Sequence, residues 1–304
     1  MSSAQSPSAA PSLEPTSAPF LAAVDLTDAG GDVFTARTQY VPWPKAYGGD
    51  MVVQALAAAI RTTDSDRRVN SFHGHFLRPV DVSSEVSYAV DRVRDGRGYS
   101  TRTVTGQQNG KSAFIATVTF QVPEDGPDLQ IEMPTSLPAP SSLPSSAEAV
   151  AGVEGPAAAY WASGRSFDMR HVPSPVYFDV DGAAVPHQAV WVRAFDALPD
   201  DLDVHRTALA YVCDYTILES ALRATSTPWA AAGLATASLD HAMWFHRDGR
   251  ADEWVLYAQQ LQSLQSSRAL VHGSFFSIDG RLLASVAQEG MIRLPSPTPP
   301  GASS

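Results

Sequence analysis

Three side chains in the C-terminal part of the sequence stand where a polar group needs a reason. Asp214 lies in RTALAYVCDYTILESALR (206–223), whose apolar residues recur at helical spacing. Tyr211, Leu218 and Ala221 share its face. Asp is almost never buried without partners. A carboxylate on a core-facing stripe is therefore either hydrogen-bonded there, as a cap or a buried acceptor, or functional. Ser238, in LATASLDHAMWF, has Asp240 and His241 beside it in an otherwise apolar run. A Ser-His-Asp hydrolase is the first idea, and three points weigh against it. There is no G-x-S-x-G elbow to expose the Ser. Triad members usually come from separate elements. Strand alternation sets Ser238 and Asp240 on one face and His241 on the other, which leaves His241 a structural hydrogen bond. Gln288 ends a strongly apolar strand, LLASVAQEG. Its amide can satisfy backbone groups or, having both donor and acceptor, hold a water.

Other chemistries find less support. The only cysteine, Cys213, reads as a buried small hydrophobe with no role assigned. The eight His residues form no H-x-x-x-H or H-E-x-x-H pattern, and no nucleotide-type glycine loop occurs. No metal and no cofactor is expected. Gly48 and Gly49 stand before a helical segment, where glycine lets a ligand approach backbone N–H groups.

The elements that must position these residues occur twice. In the first set, a strand-like segment (33–40) leads through a Pro/Gly loop to a helical one (50–60). SFHGHFLRP follows, then strand-like runs divided by Asp95-Gly96 and Asn109-Gly110. Asn-Gly between such runs marks a tight hairpin. The second set runs from a strand (188–195) through the helical segment 206–223 to SLDHAMWFHR, with Asp279-Gly280 as its hairpin signal. Each unit is a strand, a helix and several antiparallel strands. A sheet wrapping its helix covers the apolar face, and two units pairing edge to edge protect their edges.

The expected class is therefore α+β, with an N-terminal unit over 31–122 and a C-terminal unit over 186–294. Residues 123–185 read as a linker, Pro/Ser/Ala-rich and poorly ordered through Ser146, with a docked segment YWASGRSFDMRHV (160–172). Residues 1–30 and 295–304 read as disordered tails. Of the 304 residues, 44% are hydrophobic, enough for a sizeable core in two domains. A net charge of −11 disfavours nucleic acid and anionic lipid as partners, though a few local Arg or Lys still admit an anionic ligand. No apolar run reaches the ~20 residues of a membrane span. With one cysteine and no signal-peptide pattern at the start, a cytoplasmic location is expected.

These segments resemble the type II acyl-CoA thioesterases, a TesB-like family with a tandem, or double, hotdog fold: two antiparallel sheets, each wrapping a central helix. The likeness is carried by YGGDMVVQALAAAI, FHGHFLRP, QQNGK, FDMR, YVCDYTIL, SLDHAMWFHR and ASVAQEG, in order from about Val33 to Leu294. It implies hydrolysis of fatty acyl-CoA to free acid and CoA. It implies that Asp214 deprotonates a water to which Ser238 and Gln288 are hydrogen-bonded, so that water, not Ser238, attacks the thioester. The Gly48-Gly49 turn becomes a candidate oxyanion donor. One residue departs from the pattern: members commonly have Gln after the paired glycines, and here Asp50 stands there. It reads as a helix cap before a second catalytic carboxylate, since the first unit has no Gln to match Gln288. Resemblance and edge pairing suggest a homodimer or higher homo-oligomer with acyl-CoA as its partner and no membrane insertion. A non-hydrolytic acyl-CoA-binding protein and an enoyl-thioester hydratase built on the adjacent Asp240 and His241 are the alternatives.

Overall fold

The computed structural model describes residues 14–295. The chain opens with α1 (Ala18–Val24), β1 (Thr27–Gly30), β2 (Val33–Arg37) and α2 (Gly48–Arg61). The strands β3 (Arg68–Phe76), β4 (Glu85–Asp95), β5 (Tyr99–Gln108) and β6 (Lys111–Gln121) complete the first half. A 3-10 turn (Pro140–Ser142), the short helices α3 (Ser146–Ala149) and α4 (Pro156–Ala159) and a π turn (Tyr160–Gly164) lead to β7 (Phe167–Val172). The second half holds β8 (His187–Ala194), α5 (Leu202–Cys213), α6 (Glu219–Ala224), β9 (Ala235–Ser238) and β10 (Asp240–Phe245). It ends with β11 (Val255–Gln265), β12 (Arg268–Ser277) and β13 (Leu282–Arg293).

The strand order is β1-β2-β4-β5-β6-β3-β10-β13-β12-β11-β8-β7, with β9 pairing off this path onto β13. The order β2-β4-β5-β6-β3 reappears, mirrored, as β8-β11-β12-β13-β10, so the repeat is real at the level of topology. The two half-sheets, each expected as an antiparallel sheet with a paired edge, are joined in one sheet. Strand β3 pairs antiparallel with β10, from Ser71↔Trp244 to His75↔Asp240. Without this ladder both strands would present unpaired N–H and C=O groups at an edge. Helix α2 lies on the first half-sheet, α6 on β8, β11 and β12, and α2 packs against α5. Val52, Val53, Ala55, Leu56, Ala58 and Ala59 of α2 are fully buried, as expected of a helix covered on nearly all sides.

Three further expectations are revised. The helix foreseen over 206–223 is broken: α5 stops at Cys213 and α6 starts at Glu219. Between them the amides of Tyr215, Thr216 and Glu219 bond three residues back rather than four. Asp, Tyr, Thr and Ile in succession are weak helix formers, and the Thr216 hydroxyl is engaged by Gln259 Nε2 at 2.7 Å. Asp214 thus sits at a helix end, not on its middle. Residues 18–30, placed in a tail, form α1 and β1, with Phe20 and Ala23 fully buried; residues 1–13 and 296–304 lie outside the described residues. The Pro/Ser/Ala-rich stretch before Ser146 is strapped down. Gln130 bonds Gly280 O and Leu282 N, and Trp191 Nε1 donates to Pro138 O. Met133, Leu137 and Leu143 pack on Trp191, Leu256, Phe276 and Leu282. A few large apolar side chains are enough to anchor a proline-rich segment that has no regular structure of its own. The segment 160–172 contributes β7, which pairs with β8 along its length. Among the described residues, no helix is long and apolar enough to cross a membrane.

Candidate active site

Asp214, Ser238 and Gln288 are brought together. Ser238 Oγ donates to Asp214 Oδ1 at 2.7 Å, and Gln288 Nε2 donates to the same oxygen at 2.6 Å. The second amide hydrogen of Gln288 reaches Ser238 Oγ at 3.0 Å. Each partner comes from a different element: the acid from the end of α5, the hydroxyl from β9, the amide from the middle of β13. Strand pairing Ser238↔Gly290 sets the hydroxyl two residues along from Gln288.

The acid meets the first half as well. A Cβ on Gly48 would lie 2.5 Å from Asp214 Oδ2 and 3.1 Å from the Phe76 ring. Only glycine permits this approach. The Gly49 N–H is directed to the Asp214 carboxylate, so the amino end of α2, positive by its dipole, faces a negative group. That turn was one candidate for an oxyanion donor; its Gly49 N–H faces the acid. Tyr47 holds the same corner. Its ring stacks on Tyr215 at 4.2 Å, and its hydroxyl donates to Tyr211 O.

Burial pushes the Asp214 carboxyl above the usual carboxylate range, while the Gln288 and Ser238 hydrogen bonds and the Gly49 N–H oppose the rise. Asp214 and Ser238 are nonetheless only half-buried, and Gln288 is sealed beneath them. A hydrogen-bonded carboxylate reachable from outside, with a raised affinity for protons, can take a proton from a water.

Asp50 is the contrast. It does not cap its helix: the cap position is Tyr47, with no side-chain cap bond, and Asp50 stands in the first turn. Its Oδ2 accepts the Gln39 N–H at 2.7 Å, while its Oδ1 is buried without a partner. The Tyr211 side chain works against the rise in proton affinity. Desolvation raises the Asp50 pKa to about 7.

His241 was expected on the opposite face from Ser238. A bulge at Leu239 reverses that. Leu239 N bonds Glu289 O, Phe76 N bonds Leu239 O, and Asp240 Oδ1 accepts the Glu289 N–H. The extra residue flips the alternation, so Ser238 and His241 both face the site. His241 Nδ1 lies 2.7 Å from Gln288 Oε1. The two halves of a hydratase-type Asp/His pair are thereby engaged elsewhere. The signal for this bulge was present only as the unusual polar cluster itself.

The chain matches known proteins along most of its length. Residues 163–291 match the family model "Acyl-CoA thioesterase", and residues 40–121 match "Acyl-CoA thioesterase N-terminal domain". The chain is 34% identical over 286 residues to human acyl-coenzyme A thioesterase 8, covering 86% of this chain and 85% of that one. It is 30% identical over 268 residues to acyl-CoA thioesterase 2 of Haemophilus influenzae, covering 86% and 92%. The crystal structure of the acyl-CoA thioesterase II TesB2 from Mycobacterium marinum superposes with a TM-score of 0.72 at 36% identity, covering 90% of this chain and 98% of that one. A conserved protein with a hot dog fold from Alicyclobacillus acidocaldarius superposes at 0.75 with 19% identity, covering 91% and 98%, and speaks for the fold alone.

Proposed function

The chain belongs to the acyl-CoA thioesterase family, a family of thioester hydrolases, and from that premise we propose how it hydrolyses acyl-CoA. A water bound at Asp214 is the nucleophile. Its oxygen bonds to the thioester carbonyl carbon while Asp214 takes its proton. The tetrahedral intermediate then collapses, the C–S bond breaks, and the proton passes from Asp214 to the departing CoA sulfur. The products are the free acid, here read as a fatty acid, and CoA. Ser238 and Gln288 hold the carboxylate in one orientation and stabilise its ionised form. The chain as a whole reads as a tandem hotdog, its two units fused through β3 and β10.

One observation carries this reading. The hydroxyl and the amide converge on the same carboxylate oxygen at 2.7 and 2.6 Å, on an acid that solvent can reach. Asp50, fully buried, lacks both partners and access. It is proposed as a non-catalytic acid.

The test is thiol release from acyl-CoAs of graded chain length. The parent should release CoA, and Asp214→Asn should lose about 10²-fold or more in kcat, the scale of general-base catalysis. An Asn variant with full activity would overturn the mechanism. We also propose a cytoplasmic homo-oligomer. The buried thiol of Cys213 asks for no oxidising compartment. Light scattering that returned only the monomer mass would remove the oligomer.

A further inference from the structure

Gln288 helps Asp214 only while its NH2 group, not its carbonyl oxygen, faces the acid. The two ends of an amide are nearly identical in shape and opposite in hydrogen-bonding sense. A flipped Gln288 would set Oε1 against Asp214 Oδ1 at the 2.6 Å now spanned by a hydrogen bond. It would also face the Ser238 oxygen with an acceptor. Something must select the productive orientation.

His241 is placed to do so. It is 1% exposed on β10. Its Nδ1 is 2.7 Å from Gln288 Oε1. An amide oxygen only accepts, so the proton of this bond is on Nδ1. The other ring nitrogen, Nε2, is buried without a hydrogen-bond partner. A proton there would go unsatisfied, so the neutral ring keeps its single hydrogen on Nδ1. Burial also disfavours the doubly protonated ring. The Phe72 ring stands edge-on to the imidazole, with centroids 6.1 Å apart, and limits its rotation.

We propose that His241 is a positioning residue for acyl-CoA hydrolysis: its Nδ1–H locks the Gln288 amide so that both amide hydrogens point to Asp214 and Ser238. The proposal rests on the reading of Asp214 as the base. The hydrogen bonds among the four groups then run in one consistent direction. His241 donates to Gln288, Gln288 donates to Ser238 and Asp214, and Ser238 donates to Asp214. Reversing the Gln288 amide sets acceptor against acceptor at Asp214 and donor against donor at His241, and turning the His241 ring over replaces the Nδ1–H donor by a C–H.

Five variants test it: His241→Leu, His241→Asn, Gln288→Ala, the His241→Leu/Gln288→Ala double, and Asp214→Asn. Leu fills the space without a donor and should lower kcat about 10- to 100-fold with KM within about threefold, as expected when a buried polar partner is lost. Asn carries its amide nitrogen near the place of Nδ1 and should restore kcat to within about threefold of the parent. In the Gln288→Ala background the Leu substitution should cost less than about twofold, because the residue through which it acts is gone. The proposal is overturned by a Leu variant with parental kcat, by a loss confined to KM, or by a loss undiminished in the Gln288→Ala background. If the Leu variant does not fold, the Asn variant decides alone, and a tenfold fall in its kcat counts against the proposal. An active Asp214→Asn protein would sink the acid reading itself. An inactive Asp214→Asn beside a fully active His241→Leu sinks only the role of His241.

Discussion

Two acids of the same type, in matching places of a repeated unit, are driven apart by their surroundings. Asp50 has one backbone donor and an orphaned oxygen, and burial raises it to about 7. Its folded pKa thus exceeds the unfolded value near 3.8. Between those values the unfolded chain has lost a proton that the folded chain still holds. Stability therefore falls as pH rises through this window, and the loss is complete above it. At ~1.4 kcal/mol per unit the loss is on the order of 4 kcal/mol. Asp50→Asn removes this titration. Its melting temperature should match the parent near pH 4 and exceed it by several degrees at pH 8. Equal differences at both values would show that Asp50 is not a buried acid of this kind. Activity should survive the same change within about tenfold, in contrast with the general-base loss expected at Asp214. At Asp214 the raised carboxyl places the acid limb of kcat/KM above the ordinary Asp range. Ser238 is among the groups pulling it down. Ser238→Ala should therefore shift that limb to higher pH, and a profile left in place would remove Ser238 from the acid's environment.

At the scale of elements, two breaks in regularity make the site. The helix ends at Cys213 and turns through 214–218, which releases Asp214 from the helix flank. The bulge at Leu239 brings His241 round beside Ser238. Periodicity made the repeat, the hairpins and the odd polar residues readable: Asp214, Ser238 and Gln288 stand out because each interrupts an apolar pattern. It suggested that the two units meet edge to edge but could not reveal which strands do so, since the pairing of β3 with β10 is a long-range choice between equivalent edges. Nor could it reveal the bulge, since a strict alternation of faces was the rule that failed there. The anchoring of residues 128–143 was hidden for another reason: Met133, Leu137 and Leu143 are too few and too widely spaced to register as an element. The Gly48-Gly49 turn was visible, but not its partner. Gly48→Ala tests that partnership. The new methyl would lie 2.5 Å from Asp214 Oδ2, so the carboxylate must shift from the position in which Ser238 and Gln288 hold it. The fall in kcat should be about tenfold or more, with ~1–3 kcal/mol of stability lost to overpacking. Parental kcat would show that the acid can be displaced without consequence.

At the scale of the molecule, the two halves are not independent domains. Strands β3 and β10 share one ladder, and helices α2 and α5 pack together across the join. The candidate site repeats this division: the acid, hydroxyl and amide come from the second half, and the glycine turn that receives the acid comes from the first. Unfolding either half alone would expose an open strand edge and the buried side chains of α2, including Val52, Val53 and Leu56. That cost couples the halves into one cooperative unit. Loss of far-UV helix signal, loss of tryptophan environment and loss of thiol release on heating should therefore share one midpoint. Tryptophans lie on both sides of the join, Trp43 in the first half and Trp191, Trp244 and Trp254 in the second, so a half that melted early would be seen. Two separated transitions, with activity following only the later one, would mean that the first half contributes nothing to holding Asp214, and the contact with Gly48 and Gly49 would lose its part in the chemistry.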